Sequence, residues 1–235
     1  MQPENKSTKK IRLAPRLKKI AELVPVCGTV ADIGTDHAYI PSVLVANGRA
    51  SHAIASDIVP GPVARARATV RGCGLADRID VRLGAGLETV AEGEADVIII
   101  AGMGGILISE ILENSRSVTD CAELIILQPM TAVTELREYL GKGGYTVCGE
   151  YLVKEENKLY NIITAIPRGN TEYSVRELYL GKNTEKNSPE LFGEYRERVI
   201  SKFRRRAEGL KKSVLAENAA RLEEINVILT ELTQC

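Results

Sequence analysis

The sequence has no closely spaced cysteine pair. Its five cysteines, Cys27, Cys73, Cys121, Cys148 and Cys235, are scattered through 235 residues. They have neither the CxxC spacing of a zinc knuckle nor the density of a disulfide scaffold, so reduced and mostly buried thiols are expected. Histidine is scarce: His37 and His52 are the only two, fifteen residues apart, with dispersed acids around them. No metal site is expected from such a set. No stretch approaches the ~18 uninterrupted apolar residues of a membrane span, and the charged N-terminus does not lead into an apolar signal segment. No membrane role follows, and a soluble cytoplasmic protein is the expectation. Neither charge sign is in excess. Lys plus Arg and Asp plus Glu both number 31, so the overall balance demands no polyanionic partner.

Charge is nevertheless uneven. Residues 1 to 20 carry Lys6, Lys9, Lys10, Arg12, Arg16, Lys18 and Lys19 against Glu4 alone, enough to attract phosphates if they share a surface. The length allows one main core and a smaller appendage, given ~100 to 200 residues per domain.

Apolar runs set the organisation. TVADIG (29 to 34), SHAIASD (51 to 57), RIDVRLGAG (78 to 86), DVIIIAGMGG (96 to 105) and ELIILQPM (123 to 130) read as strands. IPSVLVANG, residues 61 to 73, ILISEILEN and VTELREYLGKGG read as intervening helices. A final strand pair is expected around a turn at residues 155 to 158. The alternation predicts an α/β sheet with crossover helices and an antiparallel last pair, and runs such as VIIIA fit strands covered on both faces. After Arg168 the texture becomes polar, a connector. Ser188 and Pro189 then suggest an N-cap and a first helical residue. Phe192, Tyr195, Val199, Phe203, Ala207, Leu210 and Val214 recur at helical spacing, as do Leu222, Ile225, Leu229 and Leu232. Two antiparallel helices turning around residues 214 to 218, with their stripes facing as a short coiled coil, are predicted.

The stretch ADIGTDHAYIP, residues 31 to 41, is a strand running into a single-glycine turn. Gly34 lets the chain bend, Asp32 can accept hydrogen bonds there, and Asp57, 23 residues beyond Gly34, ends the second strand. A carboxylate at that strand end suits the two hydroxyls of a ribose, at the crevice where such sheets bind ligands. These elements alone also allow NAD. A dinucleotide fingerprint, however, uses G-x-G-x-x-G so that diphosphate approaches backbone closely. Here one glycine is followed by Asp36, a charge that suits a cationic, phosphate-free ligand such as S-adenosylmethionine. The second glycine turn, Ala101-Gly102-Met103-Gly104-Gly105, leaves room for a flat substrate, and Gln128 at the next strand end can donate and accept at a base edge.

As a set, DIGTDHAYIP, DIVPGPVARA, GAGLE, AGMGG, LQPM and EYLVKEENKLYNII resemble the bacterial tRNA adenine-N1 methyltransferases that act at nucleotide 22. The resemblance spans almost the whole chain. It implies a Rossmann-like class I methyltransferase sheet over residues 1 to 168, including a basic N-terminal helix, and a connector with a C-terminal antiparallel helical coiled coil over 169 to 235. It also implies S-adenosylmethionine as donor and tRNA as partner. By that likeness Asp32, Gly34, Asp36 and His37 form the donor loop and Asp57 the ribose contact. Ala85 and Gly86 lie at the adenine, and Ala101, Gly102, Met103 and Gly104 at the junction of donor and acceptor. One departure stands out: the family commonly has Gly-Asp-Gly-Leu where this chain has Gly84-Ala85-Gly86-Leu87.

Adenine N1 carries an in-plane lone pair in its neutral form, so the reaction needs alignment more than a general base. Asp36, the backbone at Met103 and its neighbours, and Gln128 are the candidates for stabilising the cationic product ring. For RNA, the candidates are Lys9, Lys10, Arg12 and Arg16 at the start, with Arg198, Arg205 and Lys212 forming a row at a repeat of seven. Methylation of another RNA site or a small molecule, and a nonenzymatic RNA or protein adaptor that retains donor binding, are the alternatives.

Overall fold

The computed structural model describes residues 11 to 211 and 216 to 234, without the side chains of residues 216 and 217. Helix α1 (Pro15–Leu23) precedes β1 (Cys27–Ile33), α2 (Tyr39–Ala46), β2 (Ala50–Asp57), α3 (Pro60–Gly72) and β3 (Ile79–Leu83). Then follow β4 (Val97–Gly104), α4 (Gly105–Asn114), α5 (Arg116–Thr119), β5 (Leu124–Thr131), α6 (Val133–Lys142), β6 (Thr146–Glu155) and β7 (Lys158–Ile166). The connector carries the short helices α7 (Val175–Leu180) and α8 (Thr184–Asn187). The long helices are α9 (Pro189–Lys211) and α10 (Ala216–Thr233).

The seven strands are ordered β3-β2-β1-β4-β5-β7-β6. The first five of that order are parallel, and β7 runs antiparallel to both β5 and β6. This is a Rossmann-like sheet, and strand order reverses between β1 and β4, the position at which such sheets open a ligand crevice.

The run VIIIA becomes intelligible once both faces are seen. Val97 and Ile99 pack with Ile20, Leu44 and Val63 from the first three helices. Ile98 and Ile100 point the other way, against Ile108 and Leu112 of α4 and Leu136 and Leu140 of α6. Strand alternation over two covered faces therefore needs apolar residues at every position.

A third apolar cluster joins the C-terminal helices to the sheet. Phe192, Tyr195 and Ile200 of α9 and Leu232 of α10 pack with Leu152 of β6 and Leu180 of α7. Arg196 also donates to the carbonyls of Leu232 and Thr233, tying the beginning of α9 to the last turn of α10. The stripe thus faces the sheet edge as well as the partner helix. Ser188 stands at the N-cap position with Pro189 as the first helical residue, its carbonyl accepting from Phe192 N–H, while its hydroxyl accepts from Leu152 N–H at 2.8 Å and latches the start of α9 to β6. The turn expected around residues 214 to 218 lies partly outside the described residues, and Lys9, Lys10 and Lys212 lie wholly outside them.

Candidate functional site

At the end of β1 the chain turns back over β2. Gly34 and Thr35 both donate to the Ser56 carbonyl, at 2.8 and 3.0 Å. Gly34 adopts φ +73°, a conformation that favours glycine, and a Cβ there would push aside the terminal methyl group of Met103. Asp36 and Ala38 follow with φ of 46° and 53°, which throws the loop outward before α2 begins.

Two depressions adjoin this turn. The larger, about 470 Å³, is lined by Asp57, Ile58, Ala85, Gly86, Met103, Ile111 and their neighbours, a volume within the usual ~300 to 1,000 Å³ of small-ligand sites. The other, about 330 Å³, is lined by Arg16, Asp32, Thr35, Asp36, His37 and Tyr39. Gly34, Ala101 and Gly102 border both. The Met103 side chain lies over Gly34, where the two meet.

The acids differ in state. Asp57 is partly accessible, and one of its carboxylate oxygens accepts from Val59 N–H at 2.8 Å. Asp32 is buried and accepts from the Thr35 hydroxyl at 2.6 Å. Burial pushes its carboxyl up to about 6, the Thr35 hydrogen bond opposes the shift, and the charge of Asp57 adds to it. The folded value lies above the ordinary carboxylate value of about 4, so the proton favours the folded state. That contribution is fully present below about pH 4 and is lost as pH rises through about 6. Asp32→Asn is therefore expected to remove this pH dependence and to gain on the order of 2 to 3 kcal/mol over the parent above pH 6. Thermal unfolding of both proteins from pH 4 to 8 is the check, and parallel Tm profiles would refute it.

Asp36 is exposed and paired with Arg65 of α3, with His37 Nε2 at 3.6 Å from its other oxygen. His37 stacks on Tyr39 at 4.9 Å. Much of the Asp36 charge is thus already matched, a pairing that no local pattern around either residue announces.

Two of the residues expected at the donor or the target base lie outside both depressions. Gly104 ends β4 as the residue preceding α4. Gln128 is fully buried behind the second glycine turn: its Oε1 accepts from Gly102 N–H at 3.2 Å and Arg16 Nη1 at 2.6 Å, and its Nε2 donates to the Pro129 carbonyl. Gln128 therefore braces the Gly102 turn and the Arg16 side chain from a buried position outside both linings.

Arg16, expected among phosphate contacts, instead turns its guanidinium into the smaller depression, over the Tyr160 ring at 5.3 Å. Arg12 is exposed. Arg198 is held by Glu194 at 2.6 Å and donates to the Asn157 carbonyl at 3.0 Å, and Arg205 is exposed seven residues on. Among residues not singled out from sequence, Ile58 is the most informative: it is 66% exposed and lines the larger depression next to Asp57. An isoleucine directly after a strand-ending acid was the available signal. Leu107 and Ile111 reach the same place only through the orientation of α4.

Among the described residues no group of three or more His, Cys, Asp or Glu side chains is placed to hold a metal ion. No described helix is long and apolar enough to cross a membrane.

Comparison with known proteins agrees with this geometry. A family model described as a methyltransferase domain matches residues 13–163. The tRNA (adenine(22)-N(1))-methyltransferase of Bacillus subtilis is 43% identical over 155 residues, covering 66% of this chain and 65% of that protein. The crystal structure of the B. subtilis tRNA methyltransferase specific for N1 of adenine 22 superposes with a TM-score of 0.84 at 33% identity, covering 95% of this chain and 98% of that one. A Streptococcus pneumoniae protein, a putative tRNA methyltransferase of the same type solved with S-adenosyl-L-methionine, gives 0.77 at 32% identity, covering 93% and 100%. The family model over residues 13–163, together with near-full-length likeness to these structures at 32 to 33% identity, places the chain in the bacterial tRNA (adenine(22)-N1)-methyltransferase family.

Proposed function

We propose that the protein transfers the methyl group of S-adenosylmethionine to N1 of an adenine in tRNA, at nucleotide 22. The observation that carries this reading is the pair of depressions sharing Gly34, Ala101 and Gly102: one has the size and acid for the donor, and the other opens on the same backbone for the target base. The residues suit the donor. Asp57 stands where a ribose would need an acceptor, Ile58 offers an apolar surface to adenine, and Asp32 and Asp57 favour a cation. The absence of a side chain at Gly34 lets the Met103 side chain lie against the turn where the two depressions meet.

When bound, S-adenosylmethionine supplies an electrophilic methyl on a sulfonium. The protein's task is to align the neutral N1 lone pair with it and to exclude water. The Gly102 turn, held from behind by Gln128, presents backbone to both depressions, while Asp32 and the Asp36–Arg65 pair set the charge around the smaller one. Because N1 is normally engaged within folded tRNA, the base must be extruded to enter. The helices α9 and α10 form, in this reading, an antiparallel coiled coil that grips the folded tRNA, supported by their shared cluster and the Arg196 bonds.

Labelled-methyl transfer to transcripts that differ only at nucleotide 22 tests the assignment. Incorporation into the adenine transcript alone is expected, and equal incorporation into a guanine version would refute it.

Ala85 supplies a second test. It lines the donor depression without a side-chain acceptor, while Glu88 and Glu110 border the same space. Ala85→Asp is expected to tighten donor binding by about 5- to 30-fold, the worth of about 1 to 2 kcal/mol for a hydrogen bond from the adenine amino group. Calorimetric titration checks it. Unchanged or weaker binding in a folded variant would mean that backbone acceptors suffice and that the added acid only repels its neighbours.

A further inference from the structure

A third depression, about 310 Å³, lies on the neighbouring strand ends and enters no step above. Because β7 runs antiparallel to β5, its first residues sit beside the last residues of β5. The walls are Pro129 and Met130 from β5, Lys158 and Tyr160 from β7, and Arg198 from α9.

Three features of this basin point to a nucleic-acid ligand. Met130 is 44% exposed, an apolar thioether beside a partly accessible tyrosine, which together make a surface for a flat base. Lys158 is exposed at the rim and forms no ion pair among the described residues. Arg198 is oriented by the Asn157 carbonyl and Glu194, whose carboxylate Lys154 also shares. The other acids nearby are Glu155, which accepts from the backbone N–H of Arg16, and Glu156, exposed on the hairpin turn.

The basin adjoins the target-base depression across the Arg16 side chain. Arg16 lines that depression while covering the Tyr160 ring, and Gln128 bonds both Arg16 and the Pro129 carbonyl. An extruded base leaves its neighbours without a stacking partner, and a replacement surface is most useful where this one lies.

We propose that the basin holds the nucleotide adjoining the target adenosine, its base against Met130 and Tyr160 and its phosphate between Lys158 and Arg198. This rests on the RNA-methylating reading above. A peptide or a small anion would share only part of these features, since neither needs a place beside the target-base depression.

The test is equilibrium binding of tRNA to the full chain over a salt series, alongside methyl transfer. Lys158→Glu is expected to weaken binding by about tenfold or more at low salt and to reduce the salt slope by about one unit. Met130→Ala is expected to weaken binding by about fivefold or more with an unchanged slope. It should also relieve the quenching of 2-aminopurine placed next to nucleotide 22. Donor affinity and Tm control for folding. Unchanged tRNA affinity, slope and quenching in both variants would overturn the basin while leaving the methylation reading intact. A parent that binds tRNA with this response to Lys158→Glu, yet transfers no methyl, would overturn the methylation reading and leave Lys158 as a phosphate contact with no target adenosine beside it. No tRNA binding by the parent would overturn both.

Discussion

Asp57→Ala is expected to weaken S-adenosylmethionine binding by about 10- to 150-fold, with the fold retained. The estimate is the loss of hydrogen bonds to a charged acceptor, about 1.5 to 3 kcal/mol. Asp57 ends β2 in parallel register with Leu83, and its backbone carbonyl accepts from Gly84 N–H, so the main chain holds its place without help from the carboxylate. The side chain loses only the Val59 bond on truncation. A second consequence separates this account from simple damage to the pocket. The charge of Asp57 helps to raise Asp32, so its removal should lower the pH at which Asp32 ionises. Calorimetric titration gives the affinity, and the Tm profile from pH 4 to 8 gives the shift. Unchanged donor affinity in a folded variant would remove Asp57 from the site.

The largest expected loss of stability lies away from the cleft. Arg137 of α6 and Glu150 of β6 are both fully buried and paired at 2.7 Å. The remaining hydrogen-bonding capacity is spent on the connector and β7. Arg137 donates to the Leu178 carbonyl and Asn161 Oδ1, while Glu150 Oε1 accepts from the Tyr173 hydroxyl and Lys182 N–H. Arg137→Ala would leave a buried carboxylate without its cation, at a cost of about 3 to 5 kcal/mol. Against a typical total of about 5 to 15 kcal/mol this is severe, and for a chain of this length it corresponds to a Tm lower by roughly 6 to 20 °C. Urea unfolding would measure it, and a change below about 1 kcal/mol would show that the pair is not the anchor described. Adding Glu150→Leu to an Arg137→Met variant should recover only part of the loss, because Tyr173 and Lys182 N–H would then lack their acceptor. With α7 and α8 loosened, tRNA binding should fall further than donor binding.

Much of the sheet could be read in advance because its signals are local. VIIIA and LIILQ had to be strands covered on both faces, and the hairpin turn came where residues 155 to 158 place it, with β6 and β7 pairing through Glu155 and Lys158. Gly34 and Asp57 were legible for a similar reason. A sharp bend at one strand end and a carboxylate at the next depend on a few adjacent residues.

The remainder depended on where distant elements cross. Arg16 meets Gln128 across 112 residues, which takes the arginine from a basic surface into a depression and leaves the glutamine behind the Gly102 turn. Asp36 meets Arg65 across 29 residues, so a free acid becomes half of an ion pair. Ser188 begins α9 as expected, yet its hydroxyl reaches Leu152 of β6 and latches the helix to the sheet. The sequence by itself determined the strands, the glycine turn and the acid of the cleft, because backbone conformation and alternation act over a few residues. Only the tertiary structure decided which charges are matched and which polar groups face the cavity, because a side chain's partners are set by packing between segments that share no local pattern.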